Sequence, residues 1–196
     1  MPDNSTIVPP DVFLGCFSLK EVNVPSHAVT IGEFAFDQVK MSTVDFPETL
    51  ETIEQDAFQN CNKLTTIVLP SSLKNLADRA FALCVSLTSI WCKATVPPVY
   101  VPAQGYESDR TPFTSVNPAI PVYIPVGTKQ QYMTASGWDY FTNFIETDQF
   151  PSSGIDSMAI DTKEKTDDCY DLSGRKVDTP TPGNIYIRNG KKCIIR

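Results

Sequence analysis

The side chains able to catalyse a reaction or bind a metal are few and scattered in this sequence. The 196 residues include one histidine, His27, and six cysteines, none of them in a Cys-x-x-Cys pair. A structural zinc site needs cysteines and histidines at close spacing, so no metal site is indicated. His27 has no nucleophile or orienting carboxylate defined near it, which leaves nucleophilic catalysis without support. We therefore predict a protein that is not an enzyme and has no cofactor.

The charged residues exclude further classes of function. A net charge of −7 argues against a general nucleic-acid binder. Residues 1–150 carry 16 Asp and Glu against 8 Lys and Arg, whereas residues 151–196 carry 7 against 8. This shift predicts a domain boundary near residue 150. The acidic residues are spread over turns and form neither an acid–base pair nor a calcium loop; they include Glu33, Glu48, Glu51, Glu54, Asp56 and Asp78.

Apolar residues recur with a period of 22 or 23 residues, which is typical of a repeat protein. The aromatic anchors of the period are Phe13, Phe36, Phe58 and Phe81, and three residues later come Cys16, Val39, Cys61 and Cys84. A single turn of this length cannot bury its apolar residues alone, but stacked turns build a continuous core. We predict about four turns over residues 1–98, with the aromatic rings and the Cys and Val side chains as buried columns.

Each period contains one short segment with the alternation of a half-buried strand. These segments are LKEVNV (19–24), MSTVDF (41–46), LTTIVL (64–69) and LTSIWC (87–92). The segment with the anchor, such as AFQNC (57–61), is predicted to form a turn or short helix on the opposite side. The expected fold is an α/β solenoid, a right-handed leucine-rich-repeat stack with parallel strands.

The repeat resembles the BspA-like, or treponemal-type, leucine-rich repeat of Bacteroidetes surface proteins, over roughly residues 8–98. The residues that carry the resemblance are Ile31, Gly32, Ala35, Phe36, Ala57, Phe58, Cys61, Leu64, Ile67, Leu69 and Pro70. The second repeat departs from the family pattern, since Val39 replaces the cysteine and one residue is missing before Met41. The resemblance implies an adhesin-like, protein-binding module with a protein partner, such as a host extracellular-matrix or neighbouring-cell protein.

The resemblance also implies a location at the cell surface or outside the cell. The polar N-terminus lacks the layout of an export signal, so either the protein is cytosolic or its signal has been removed, and the location implied by the resemblance favours removal. No run of apolar residues is long enough to cross a bilayer.

Three segments are predicted after the repeats. Residues 99–147 are interpreted as a C-terminal cap of the solenoid, similar to the segment that closes many BspA-like arrays, with a strand at PVYIP (121–125) and a short helix at TKQQYMTA (128–135). Residues 148–160 have linker composition. Residues 161–196 form a small antiparallel β-domain, in which Asn189-Gly190 is the type I′ turn of a hairpin. This domain resembles C-terminal domains of exported Bacteroidetes proteins, some of which are secretion signals.

Cysteines have two interpretations here. Cys16, Cys61 and Cys84 are expected to be small buried core residues. Cys169 and Cys193 lie on strands of a module too small to hold much core, so a disulfide between them and two unpaired thiols are about equally supported.

The exposed strand positions on the concave face form the predicted contact surface. The candidate binding residues are Lys20, Glu21, Asn23, Asp45, Thr66, Val68, Ser89 and Trp91. Val68 and Trp91 are apolar at positions where water is expected, and an exposed tryptophan is a common binding anchor. The competing interpretation is that the cap folds back over Trp91 and buries it. A structural envelope scaffold without a soluble ligand is the alternative function, and an enzyme is the least supported.

Overall fold

A computed structural model describes residues 5–104 and 111–151, and the backbone of residues 169–170, 185–188 and 191–194. The chain divides into two compact units, Met1–Met158 and Ala159–Arg196, which are described separately. The elements are β1 (Ile7–Val8), β2 (Thr30–Ile31), β3 (Thr52–Ile53), β4 (Thr66–Leu69), β5 (Asn75–Ala77), β6 (Ser89–Cys92), β7 (Val99–Val101), β8 (Val122–Pro125), α1 (Lys129–Thr134), β9 (Phe144–Thr147), β10 (Cys169–Tyr170), β11 (Ile185–Arg188) and β12 (Lys191–Ile194).

Two parallel sheets run along the first unit. The first sheet has the order β1-β2-β3-β5-β7, and the second has the order β4-β6-β8-β9. Ile31, Ile53 and Leu76 occupy the inward positions of the first sheet and are fully buried. The second sheet contains the strand segments predicted from the alternation in the later repeats. The first sheet was not predicted, since its strands are only two or three residues long and too short to show a period of two.

Turns, and not helices, form the side of each coil that carries the phenylalanine. The four turns that carry Phe13, Phe36, Phe58 and Phe81 each have two residues in the left-handed region four positions apart, as at Asp56 with φ 53° and Asn60 with φ 55°. Backbone amides of one coil donate to carbonyls of the next, for example from Phe58 to Ala80 at 2.8 Å. The left-handed residues interrupt any helix, and α1 is the only helix in the part of the chain that the structure describes. The α/β class is therefore corrected to a β-solenoid with turns.

The core is a continuous column of stacked aromatic rings. Phe36, Phe58 and Phe81 are fully buried, and their ring centroids are 5.0 Å and 5.1 Å apart. Phe13 extends the stack at one end and Phe113 at the other, at 5.4 Å and 5.9 Å. The predicted aromatic column is confirmed, because a fixed spacing places the same residue at the same height in every coil.

Coils continue beyond residue 98, where the sequence predicted a change of architecture. β7 pairs with β5, β8 pairs with β6, and β9 pairs with β8, all in parallel. The predicted cap of 99–147 therefore extends both sheets, and the solenoid has about six turns where four were predicted. The sequence period disappears there because Phe113 follows Phe81 by 32 positions, where the earlier anchors are 22 or 23 apart, so the additional residues mask the repeat.

The last coil is closed by α1 and the aromatic residues after it. Tyr132 on α1 is fully buried, and its hydroxyl donates a hydrogen bond of 2.7 Å to the carbonyl of Ala94. The indole nitrogen of Trp138 donates to the carbonyl of Pro98 at 3.0 Å, and its ring lies 5.1 Å from that of Tyr132. These contacts hold the chain between β8 and β9 against the segment of Ala94 and Pro98.

The second unit contains a three-stranded antiparallel sheet with the order β10-β11-β12. The Asn189-Gly190 turn lies outside the described residues, as does most of the 148–160 linker, and a distinct β-domain stays a prediction. β11 separates the strands of Cys169 and Cys193. Two strand spacings amount to about 10 Å, whereas a disulfide needs Cα atoms within about 7 Å. This strand order argues against the predicted Cys169–Cys193 disulfide.

Candidate functional site

Side chains that point away from the core on the second-sheet side of the coils form the candidate surface. We call Asn23, Asp45, Val68 and Trp91 the outer column, since each takes the same place in its own coil. Asn23 pairs with Asp45 through a parallel bridge, and Val68 pairs with Trp91 between β4 and β6. In each of these two pairs, the residues lie on neighbouring coils. Their environments differ sharply along it.

A groove with a volume of about 290 Å³ lies between the first two coils at the polar end of the outer column. Asn23 and Glu21 are exposed, and Asp45 is half-buried. The residues that line the groove are Glu21, Val22, Asn23, Thr43, Val44 and Asp45. In these two coils the strand segment makes a single bridge and no continuous ladder, which leaves the surface open. Three of the predicted binding residues, Glu21, Asn23 and Asp45, are therefore brought together.

The carboxylate of Asp45 is incompletely satisfied. Its Oδ1 atom is shielded from solvent and accepts no hydrogen bond. A buried acceptor without a partner costs roughly 1–3 kcal/mol, and more when it is charged. Among the described residues, the ion pairs join Lys74 to Glu51, Arg79 to Asp56 and Lys93 to Glu48. Neither carboxylate of the groove takes part in any of them.

The middle of the candidate surface is occupied by internal hydrogen bonds. The hydroxyls of Thr66 and Ser89 are 3.1 Å apart and bond to one another. Both side chains are half-buried, and their hydroxyls stabilise the contact between neighbouring coils. Lys20 is exposed, but it does not line the groove.

The apolar end of the outer column is covered, which agrees with the interpretation that the chain after the repeats folds back over Trp91 and not with an exposed Val68–Trp91 patch. Val68 is 6% exposed and Trp91 is 8% exposed. The ring of Trp91 stacks on Tyr123 of β8, with centroids 3.7 Å apart and planes inclined by 9°. The ring of Phe150 meets it edge-on at 6.2 Å. Since neighbouring residues occupy its surfaces, Trp91 stabilises the stack of coils and does not offer a free aromatic face.

Sequence reasoning missed three residues of this surface as site residues. Thr43 lines the groove, while Tyr123 and Phe150 cover Trp91. The alternation of the second repeat places Thr43 on the same face as Asp45, and this signal was available. The contact of Phe150 with Trp91 has no local sequence signal, because 59 positions separate the two residues.

The thiols of Cys61 and Cys84 are buried, and each donates a hydrogen bond to the coil before its own. Cys61 donates to the carbonyl of Phe36 at 3.2 Å, and Cys84 donates to that of Phe58 at 3.1 Å. Burial raises the pKa of Cys84 well above its ordinary value and that of Cys92 to about 11. Cys16, predicted to be buried, is exposed in the first coil. Cys84 and Cys92 therefore lack the thiolate character that a nucleophile requires.

Carboxylates also lie on the turn side of the coils. Asp37 and Asp56 are 6% and 2% exposed, and burial is the largest cause that raises the pKa of each. Arg79 contacts Asp56 with an Nε–Oδ1 distance of 3.3 Å, and Gln38 donates to Oδ2 of Asp37 at 3.0 Å. Oδ1 of Asp37 accepts no hydrogen bond. His27 is exposed and is 2.9 Å from the hydroxyl of Ser26.

Within the ranges covered by the structure, no helix has the length and apolar character needed to cross a membrane. Over the same residues, no group of three or more His, Cys, Asp or Glu side chains is arranged to hold a metal ion.

Two parallel ladders, a stacked phenylalanine column and an outward-facing polar groove define a leucine-rich-repeat solenoid, a class commonly used for protein interaction. The model of the family described as BspA type leucine-rich repeat region (6 copies) matches residues 1–100. The chain belongs to this family.

A search of the solved structures found a leucine-rich repeat protein from Bacteroides ovatus ATCC 8483, with 22% sequence identity and a TM-score of 0.46. The match covers 74% of this chain and 38% of the Bacteroides chain, so it spans well under half of that protein. No curated protein matches the sequence.

Proposed function

We propose that this chain is a non-catalytic, protein-binding module of a surface or exported protein, and that it binds its partner through the outward face of the second-sheet side. The observation that carries the proposal is the open groove at the first two coils, where Glu21, Asn23 and Asp45 face outward with carboxylates left unpaired. Farther along this face, the hydroxyls of Thr66 and Ser89 bond to one another, and Val68 and Trp91 are covered. The partner would therefore engage the face at its polar end.

Family membership also supports a non-catalytic binding function at the surface or outside the cell. Proteins of this repeat family are associated with surface or exported locations and are typically non-enzymatic. The buried thiols and the exposed His27 provide no assembled catalytic group among the described residues. The partner that we propose is a host extracellular-matrix or neighbouring-cell protein, because the resemblance to BspA-like surface proteins implies an adhesin-like module.

The test is a binding measurement on the full chain. Immobilised protein is exposed to a panel of purified extracellular-matrix proteins, and the dissociation constants are measured by interferometry. Asn23→Arg places a large side chain at the groove, and we expect it to weaken binding by about tenfold, the effect of losing one good polar contact. Gln130→Arg makes the same kind of change on exposed α1 and serves as the control.

Two outcomes would contradict the proposal. Absence of binding across the whole panel would favour an envelope scaffold without a soluble ligand. Equal loss of binding in the Asn23 and Gln130 variants would place the contact surface elsewhere on the molecule.

A further inference from the structure

We infer that the groove between the first two coils is a subsite for a cationic side chain, an arginine or lysine presented by the protein partner. The inference rests on the proposed function and names the chemistry of the contact. Its physical basis is a confined polar space with negative charge on two of its walls and no internal cation.

The positions of the two carboxylates follow from the pairing of the coils. Asn23 lies opposite Asp45 through a single bridge. Glu21 and Thr43, each two residues earlier in its own coil, line the same groove. The carboxylates of Glu21 and Asp45 therefore border one space from two neighbouring coils.

The number of carboxylates selects the chemistry of the ligand. A calcium ion takes about six to eight oxygen ligands, and among the described residues these two carboxylates belong to no group of three or more side chains arranged to hold a metal ion. An arginine guanidinium has five donors in a plane and can donate hydrogen bonds to both carboxylates at once. A lysine ammonium meets the same charges with three donors, but as a point charge.

The size of the groove is consistent with one side chain. At about 290 Å³ it lies at the lower limit of pockets for small molecules, which run from roughly 300 to 1,000 Å³. Val22 and Val44 line the groove and are half-buried and buried, respectively. The methylene groups of an arginine or lysine would pack on these valines while the charged end bonds the acids.

The unpartnered oxygen of Asp45 provides an independent argument. Its Oδ1 is desolvated in the folded protein without a donor to compensate, so the cost is already present before binding. A cation held in the groove beside this carboxylate offsets part of that cost, and hydrogen bonds to charged groups are about twice as strong as neutral ones. The excess of acidic residues over residues 1–150 adds long-range attraction for a basic partner.

The experiment is an NMR titration of the ¹⁵N-labelled full chain with the peptide acetyl-Gly-Arg-Gly-amide. The matched probe is the same peptide with citrulline, which keeps the shape of arginine and removes its charge. We expect shifts of the arginine titration to cluster at the amides of residues 21–23 and 43–45. We expect the citrulline peptide, and the arginine peptide with Asp45→Asn, to bind at least about tenfold more weakly.

Controls separate the groove from the general acidity of the surface. Glu33→Gln removes one exposed charge from the second coil away from the groove and should leave the affinity within about twofold. Glu21→Gln, at an exposed position, provides a second groove variant if Asp45→Asn impairs folding. Equal affinity of the two peptides, equal effects of Glu21→Gln and Glu33→Gln, or shifts spread over other acidic residues would overturn the inference.

The result is distinguishable from a failure of the proposed function. Binding of a matrix protein that is lost with Asn23→Arg, together with no arginine-dependent shift, would sink only the cationic subsite. A specific arginine response without any bound matrix protein would support the subsite and contradict the proposed partner.

Discussion

The ring of Phe58 lies face to face on that of Phe81, with centroids 5.1 Å apart and planes inclined by 8°. Both residues are fully buried, and the amide of Phe58 donates to the carbonyl of Ala80 in the next coil. The aromatic column and the turn ladder therefore hold the same pair of coils together. Removal of the Phe58 ring should weaken the contacts of its coil with both the preceding and the following coil.

The first prediction concerns this column. Phe58→Ala should lower the free energy of unfolding by about 3–5 kcal/mol, because it deletes a buried ring and leaves a cavity between two coils. Phe58→Leu, which fills part of the space, should cost less and keep the fold measurable. Urea unfolding followed by circular dichroism gives both values. The control is Phe17→Ala, at a residue that is 60% exposed. An equal loss of unfolding free energy in this variant would show that the buried column does not stabilise the fold more than a surface ring does.

The second prediction concerns the glycine of the Ile31-Gly32 motif. A Cβ atom at Gly32 would lie 2.7 Å from the backbone nitrogen of Pro10 and 2.8 Å from the carbonyl oxygen of Val8. Backbone atoms cannot move aside as a side-chain end can, so Gly32→Ala should destabilise the protein by about 1–3 kcal/mol.

The equivalent positions of the next two coils show that this constraint is local. They carry Glu54 and Ala77, so a Cβ atom is tolerated there. Ala77→Gly is therefore the matched control for chemical denaturation. A Gly32→Ala protein as stable as the wild type would show that the chain of Val8–Pro10 shifts freely.

The third prediction is a pattern of thiol reactivity. In a Cys169→Ser/Cys193→Ser background, Cys16 should react with an aromatic disulfide reagent in the folded state because it is exposed. Cys61, Cys84 and Cys92 should react only after unfolding, since they are buried and burial raises the thiol pKa of Cys84 and Cys92. Counting released thiolate before and after denaturant gives the two classes. Rapid reaction that persists when Cys16→Ser is added would contradict the assignment.

The fourth prediction concerns pH and Asp37. Burial raises the pKa of this carboxyl above its ordinary 3.8, so between 3.8 and the raised value the folded protein binds the proton more readily than the unfolded chain. Stability from this group is therefore present at low pH and is lost as the pH rises through the folded pKa. Asp56 and Arg79 act on Asp37 in opposite directions, Asp56 raising its pKa and Arg79 lowering it, and Gln38 donates a hydrogen bond to it.

Asp37→Asn should remove this dependence. The difference in unfolding free energy between wild type and variant, measured from about pH 4 upward through the acid range, should change in favour of the variant as the pH rises. Glu33→Gln makes the same change of charge at an exposed residue and is the comparison. A constant difference across the range would show that Asp37 does not hold its proton as its burial implies.

Prediction from sequence succeeded where the period repeats faithfully. The spacing of Phe36, Phe58 and Phe81 specifies one ring per coil at one height, which is sufficient to define the buried column. The turn side was described less well, since left-handed residues such as Gln38 and Leu83 are neither glycine nor asparagine. Side chains of that kind give no local sign of a left-handed backbone, so the choice between turn and helix stayed open.

The sequence by itself determined that this chain is a repeat solenoid, because a fixed spacing forces equivalent residues to stack and bury together. Only the tertiary structure decided which outward residues are available to a partner. Trp91 is covered by Tyr123 and Phe150, which come from later parts of the chain, whereas Asp45 stands beside an open groove. Exposure depends on what other coils place above a residue, and that information lies in the packing of distant segments rather than in the local pattern.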